Sequence, residues 1–260
     1  MSAGVQTERS DDGVVYVRLD APPGNVLDIK LCRRLREVLA EAAVDERAKL
    51  LVLTTAGKHF SFGASVEEHL PETAAQMLSE MSTLVEAIYA HPYPTLAAIR
   101  GRCLGGGLEV ALACDMLFAE PTTILGAPEI RLGVFAPAAT VLLQASVPRC
   151  VAAEVLLSGR DVTAKEAQQW GMINRVVRSG SLDKVVADFA AEHFAPRSAA
   201  SLRQATGALR HASRARQFAR IAKELEEVER RYVENLLPQH DGVEGIRAFM
   251  EKRDPEWEKG

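Results

Sequence analysis

The chain has 260 residues, 47% of them hydrophobic and 25% charged, which fits an ordinary soluble globular protein and excludes a disordered one. A net charge of −4 leaves no basic excess to neutralise nucleic-acid phosphates. No apolar run reaches the length of a membrane span and the opening MSAGVQTERSDDG has no hydrophobic signal core, so a cytosolic protein is expected.

The first half alternates strand-like and helix-like segments. Val14–Leu19 reads as a strand that Pro22-Pro23-Gly24-Asn25 ends, and Ile29–Ala43 as an amphipathic helix with Leu31, Leu35 and Leu39 on one stripe. Leu50–Thr54 is a second strand. A loop with Gly57 and Gly63 follows, then a helix over 73–90, a strand over Thr95–Ile99, and a glycine-led helix within Cys103–Ala113. This alternation predicts βαβ units and a largely parallel sheet. From about Pro137 the pattern turns helical: 137–147, 149–158, Thr163–Trp170 with Thr163 as N-cap, 181–194, 198–212, 214–236 and 242–252. The charged run Arg214–Arg231 reads as a solvated helix face with i,i+4 pairs. The expected organisation is an α/β core over 1–195, carrying the active site, and a helical C-terminal region over 196–260.

The four cysteines (Cys32, Cys103, Cys114, Cys150) form no CxxC pair and read as structural thiols. The six histidines show no HxxxH spacing, so no metal site is expected.

The chemistry concentrates between residues 57 and 139. Gly105-Gly106-Gly107 sits between a strand and a helix. It fits either a tight turn packed beneath another element or a place where free N–H groups meet an anion at a helix N-terminus. It follows neither GxGxxG nor a phosphate loop. Glu109 lies in the first turn of the otherwise apolar LEVALAC. Glu129 follows 129 − 109 = 20 residues later, in Gly126-Ala127-Pro128-Glu129. A first-turn glutamate also suits the helix dipole without any chemical role. Two carboxylates beside an oxyanion-binding turn are, however, what acid/base addition of water requires. The turn at Gly63 leaves the Ala64 amide as a second candidate oxyanion donor. Ser65 lacks a GxSxG context, and His59 and His69, with no evident partner, read as non-catalytic.

Taken together, the Pro22–Leu27 opening, Gly63-Ala64, Ile99-Arg100-Gly101, Gly105-Gly106-Gly107-Leu108-Glu109, Cys114-Asp115, Gly126-Ala127-Pro128-Glu129, Thr163-Ala164-Lys165-Glu166-Ala167 and Glu244-Gly245 resemble the crotonase (enoyl-CoA hydratase/isomerase) superfamily over nearly the whole chain. The resemblance implies the crotonase ββα superhelix and an acyl-CoA substrate with no bound cofactor. It also implies a homotrimer or hexamer whose C-terminal helices reach a neighbour. The Ala64 and Gly106 amides would hold the thioester oxygen. Glu109 would activate water, and Glu129 would protonate carbon. Lys252 or Arg253 would either meet the CoA phosphates or lie merely solvated.

Two departures bear on the acyl group. Where the family often has a glycine-rich run after the second glutamate, this chain has Phe135-Ala136-Pro137-Ala138-Ala139, which argues against a straight-chain pocket. The segment Ser65-Val66-Glu67-Glu68-His69-Leu70-Pro71, with Leu132–Ala139, resembles the branch that hydrates cyclic dienoyl-CoA thioesters. That branch converts cyclohexa-1,5-diene-1-carbonyl-CoA to 6-hydroxycyclohex-1-ene-1-carbonyl-CoA in anaerobic benzoyl-CoA degradation. Leu70, Val134 and Phe135 are expected as pocket walls, with Gly63, Ser65, Val66 and Gly105 also near the substrate. A general short-chain enoyl-CoA hydratase, a thioester hydrolase and a non-catalytic scaffold of the same fold are the rival readings.

Overall fold

The computed structural model describes residues 4–214 and 217–258, with side chains described outside 211–220. The strands are β1 (Gly4–Arg9), β2 (Val14–Asp20), β3 (Leu50–Thr55), β4 (Thr95–Ile99), β5 (Arg102–Leu104), β6 (Met116–Ala119), β7 (Ile124–Gly126), β8 (Val162–Thr163) and β9 (Arg175–Val176). The helices are α1 (Ile29–Ala43), α2 (Ala74–Tyr89), α3 (Gly106–Leu112), α4 (Pro137–Ser146), α5 (Arg149–Ser158), α6 (Ala164–Gln169), α7 (Leu182–His193), α8 (Ala199–Arg214), α9 (Gln217–Arg230) and α10 (Asp241–Glu251).

One sheet has the order β1-β2-β3-β4-β6-β9, parallel throughout except for the β1–β2 pair. β3 and β4 are apolar on both faces because both faces are covered, as the continuous runs LLVLTT and TLAAI require. Val17, Leu51, Leu53, Ala97 and Ile99 turn into the larger core with α1 and α2. Val14, Val52, Leu96, Ala98 and Phe118 turn to the opposite side, against Leu182, Val186 and Ala190 of α7. α1 begins where Asp28 accepts a hydrogen bond from the Leu31 amide (2.7 Å), and it buries Leu31, Leu35 and Leu39 as expected. Thr163 caps α6 in a capping box with Glu166.

The second sheet, β5-β7-β8, positions the site. β5 and β7 run parallel with Leu104 opposite Gly126, and an isolated parallel bridge sets Ser61 beside Cys103. Three chain segments therefore leave the C-terminal ends of these parallel strands together: Gly63-Ala64, Gly105-Gly106 and Ala127-Pro128-Glu129.

Several elements differ from expectation. β1 is a strand although GVQTER reads as polar, because as an edge strand it buries only Val5 fully. β5, β8 and β9 are two- or three-residue strands whose pairing is tertiary and leaves no local pattern. The helix expected over 214–236 begins at Gln217 as α9 and continues as a π-helical turn over Arg231–Leu236. Arg214 ends α8, and residues 215–216 lie outside those described. The solvated i,i+4 pairs are present, with Arg230 on Glu234 and Arg231 on Glu227. Cys32, Cys103 and Cys114 are buried, whereas Cys150 is exposed at the start of α5.

The helical C-terminal region is fastened to the core by one buried ion pair. Arg210 of α8 reaches Asp115 (2.7 Å) and also bonds the His91 carbonyl. Asp115 in turn accepts from the Thr95 amide (2.8 Å) and hydroxyl (3.0 Å). Removing the guanidinium takes the countercharge from a buried carboxylate that keeps its Thr95 hydrogen bonds, a loss of about 3 kcal/mol. Arg210→Met is therefore expected to lower the stability read by urea denaturation by about 3 kcal/mol. An unchanged midpoint would show that the pair does not anchor α8.

Candidate active site

The turns are built by hydrogen bonds that leave two amides free. Leu27 donates to the Gly63 carbonyl (2.8 Å) and Ser65 donates to the Leu27 carbonyl (3.2 Å), which pins the Gly63-Ala64 turn against the chain after Asn25. Asn25 sends its side-chain amide to Thr55 Oγ1 (2.8 Å) and to the His59 and Phe60 carbonyls (3.0 Å each), so the loop is fixed from behind. Gly105 donates to the Gly126 carbonyl (2.9 Å), tying the glycine turn to the strand that leads to Glu129. Among the described residues neither the Ala64 nor the Gly106 amide has a backbone or side-chain acceptor. The two lie close together, since a Cβ placed on Gly106 would come 3.1 Å from the Ala64 nitrogen.

Glycine is required at 105 on two counts. Its φ is +50°, and a Cβ there would lie 2.1 Å from Glu129 Oε1. The bare backbone is what lets the Glu129 carboxyl lie across the turn.

Glu109 and Glu129 face one cavity, walled by His69, Met77, Met81, Ser82, Phe135 and Pro137 among others. The free space between these side chains is about 20 Å³, room for a single water molecule. Glu109 is buried, and burial raises its pKa to about 7 against the opposing pull of the Ala139 amide, which donates to Oε1 (2.9 Å), and of the Ala138 amide. Both amides belong to the N-terminus of α4, which Pro137 opens at no loss because its position needs no N–H donor. Glu129 has less such support, its own backbone amide being the one hydrogen bond that opposes its shift. Among the described residues its buried Oε2 has no hydrogen-bond partner, and burial, then the charge of Glu109, raise its pKa to about 8. As a coupled pair they therefore hold one proton near neutrality, with Glu109 favoured as the anion and Glu129 as the acid.

The family model described as enoyl-CoA hydratase/isomerase matches residues 9–260. The chain belongs to this family. The cyclohexa-1,5-dienecarbonyl-CoA hydratase of Thauera aromatica is 42% identical over 248 residues, covering 95% of this chain and 94% of that protein. The carnitinyl-CoA dehydratase of Proteus mirabilis (strain HI4320) is 32% identical over 253 residues, covering 94% of each. Among solved structures, an enoyl-CoA hydratase/isomerase from Xanthobacter autotrophicus Py2 superposes with a TM-score of 0.83 at 27% identity, covering 98% of both chains.

Within this enoyl-CoA hydratase/isomerase fold the expected residues divide. Ala64, Gly106, Glu109, Glu129 and Phe135 all line the cavity, while Gly63 and Gly105 shape the turns beside it. Leu70 and Val134 do not form its wall: Val134 is buried in the core, and Leu70 packs against the core's edge. A 3₁₀ turn over Glu67–His69 is the cause, since it brings His69 inward in place of Leu70. Ser65 and Val66 serve that turn, with the Ser65 carbonyl bonded to His69 Nδ1 (2.7 Å). This bond assigns the proton to Nδ1, and burial pushes the imidazole pKa down, so His69 presents a neutral ring to the cavity.

Sequence reasoning set His69 aside and missed Met77, Met81 and Ser82, while Pro137 lies in the run it singled out beside the second glutamate. The methionines and Ser82 occupy the buried face of α2, where helical spacing marks them only as core. Tyr232, in the π-helical turn, packs at a tilt against Phe135 (ring centroids 5.5 Å apart), and its buried hydroxyl has no partner among the described residues. His59 has a structural task, its Nδ1 accepting from the Arg102 amide (3.1 Å). Arg253 is engaged in a fork onto Glu244 (2.5 and 2.9 Å) rather than free for a phosphate.

Two outcomes follow. Gly105→Ala is expected to displace the Glu129 carboxyl and lower turnover by about 100-fold or more in a folded protein, measured by steady-state kinetics beside circular dichroism. Retained activity would show that Glu129 need not lie where it does. The second concerns stability. The Glu129 carboxyl ionises near 4.5 when unfolded and near 8 when folded. The folded state thus binds the extra proton between these values, and its stability falls as pH rises through that window. Glu129→Gln should raise Tm at pH 8 by on the order of 5 °C and leave it nearly unchanged below pH 4.5. The same gain at both pH values would contradict the burial argument.

Proposed function

We propose that this hydro-lyase of the enoyl-CoA hydratase type adds water to a cyclic dienoyl-CoA, converting cyclohexa-1,5-diene-1-carbonyl-CoA to 6-hydroxycyclohex-1-ene-1-carbonyl-CoA, as in the benzoyl-CoA route of aromatic degradation. The observation that carries the reaction type is the pair of glutamates facing one water-sized cavity beside two acceptor-free amides. The acyl group rests on the 42% identity to the Thauera aromatica protein.

The thioester oxygen binds to the Ala64 and Gly106 amides, which stabilise the negative charge it gains as the chain of double bonds is attacked. Losing one such donor costs about 3–4 kcal/mol of barrier. Glu109, ionised, takes a proton from water as the water oxygen bonds to the ring carbon β to the carbonyl, the electrophilic end of the system. Glu129, protonated, gives its proton to the far end of the diene, and the remaining double bond moves between the two carbons. The base and the acid thus act across the ring, on atoms a single carboxyl could not serve together. The scheme draws only on protein groups and water.

A flat six-membered ring is larger than the free space, so its entry requires Met77, Met81 and Phe135 to turn aside. The unbranched thioethers do this with little strain. By family resemblance we also infer a homotrimer or a pair of trimers in the cytoplasm.

The test compares the ring thioester with crotonyl-CoA. Wild-type protein is expected to prefer the ring. Glu109→Gln and Glu129→Gln should each lower kcat by about 10²–10⁴-fold on it. kcat/KM should follow a bell in pH, rising as Glu109 ionises near 7 and falling as Glu129 ionises near 8. Preference for crotonyl-CoA would leave the hydration chemistry and overturn the ring assignment. Release of free thiol from CoA, read with a thiol reagent, would instead mark hydrolysis.

A further inference from the structure

The cavity has a second polar boundary that the scheme above does not use. Ser82, on the buried face of α2, lines it, and the same Ser82 also lines an open groove of about 360 Å³ between α2 and α9. Between the two spaces the Ser82 hydroxyl donates to Glu229 Oε1 of α9. Glu229 is half-buried. Its carboxyl pKa is raised by burial, against the Ser82 hydrogen bond, and its charge is felt by Glu109. On the groove side Glu229 is accompanied by Glu86, Glu226 and Lys223; on the cavity side stand Glu109, Glu129 and the neutral His69. One hydroxyl and one carboxyl therefore stand between the cavity that holds the buried Glu109 and the open groove.

We propose that Ser82 and Glu229 form a proton port that returns Glu109 to its ionised form between turnovers; this rests on the hydration reading. Each addition leaves the proton of water on Glu109 and removes one from Glu129. Before the next cycle one proton must leave and one must arrive. Glu109 passes its proton through cavity water to Ser82 Oγ as the Ser82 hydroxyl proton moves to the Glu229 carboxylate, and Glu229 releases it to the groove. Glu129 takes a proton from bulk water once product has left, so net uptake is zero. Carboxyl–hydroxyl contacts suit this traffic, since each member both gives and accepts a proton.

The test uses full-length protein with the substrate that wild type hydrates. Glu229→Gln keeps an acceptor for Ser82 but cannot carry a proton, and Ser82→Ala removes the link. Both should lower kcat about tenfold with KM for the thioester changed by less than about twofold. Added imidazole or formate, small enough to enter the groove, should restore much of the loss in Glu229→Gln. A full kcat in Glu229→Gln overturns the port. A loss that no small acid or base restores, or one matched by a rise in KM, assigns the pair to packing of α9 on α2 and also overturns it. A titration of the Glu109 carboxyl by infrared difference spectroscopy reads the linkage without turnover, and Glu229→Gln should move its midpoint downward; an unmoved midpoint counts against the port. Failure of wild type to hydrate any enoyl-CoA would instead refute the hydration reading, and the infrared titration would still decide whether Glu229 reaches Glu109.

Discussion

Two carboxyl groups facing one water-sized cavity are a costly arrangement, and the surrounding turns and helix N-terminus hold them there. Among the described residues neither glutamate has a cationic partner in the cavity wall, so these residues do not neutralise them by pairing. The structure relies instead on one retained proton and on backbone dipoles. The N-terminus of α4 offers the Ala138 and Ala139 amides to Glu109, and nothing comparable reaches Glu129 Oε2. Together with burial and the charge of Glu109, that difference favours Glu109 over Glu129 as the anion.

Holding such a pair demands rigidity behind it. The β5–β7 register carries the glycine turn and the Glu129 segment off the C-terminal ends of these parallel strands, and Asn25 fixes the Gly63 turn beside them with three donor contacts from one side-chain amide. The lid over the cavity is less local. It is assembled from α2 and from Phe135 before α4, and Tyr232 of the π-helical turn packs its ring at a tilt against Phe135 from outside. A π-helical turn beside a site re-aims side chains that regular α-helix would direct elsewhere. Arg210, buried against Asp115, fixes where this C-terminal cover sits relative to the core.

What could be read in the sequence follows the range of the interactions. The helices that carry their own signals were legible: Asp28 before Ile29, the Thr163–Glu166 capping box, and the apolar stripe of Leu31, Leu35 and Leu39. So was the pairing of a glycine turn with Glu109, because both lie in one short segment. The relation of Glu109 to Glu129 was not legible from their spacing. It depends on the register that sets Leu104 opposite Gly126; residue chemistry raised the pairing as one reading and family resemblance strengthened it ahead of the structure. The wall was harder still. Leu70 looked like an apolar wall and His69 like a bystander, but one 3₁₀ turn exchanges them, and its hydrogen bond from Leu70 to the Glu67 carbonyl leaves no sequence pattern. Ser82 and Glu229 lie 147 residues apart on two helices whose periodicity says only which face is buried.

The run Phe135-Ala136-Pro137-Ala138-Ala139 ties these strands together, because it serves the acyl group and the proton chemistry at once. Phe135 and Pro137 stand in the cavity wall and narrow it, while the next two residues supply the amides that Glu109 needs. Pro137 is what permits both. As the first residue of α4 it needs no hydrogen-bond partner of its own, and its fixed φ sets the direction in which the following N–H groups point. A glycine-rich run at this place would give the same amides more freedom and would remove two walls. The pocket would then be wider and Glu109 less firmly held. In this chain the shape offered to the substrate and the ionisation of the base are therefore set by the same five residues, so a change made to widen the pocket also changes the acidity of the group that activates water.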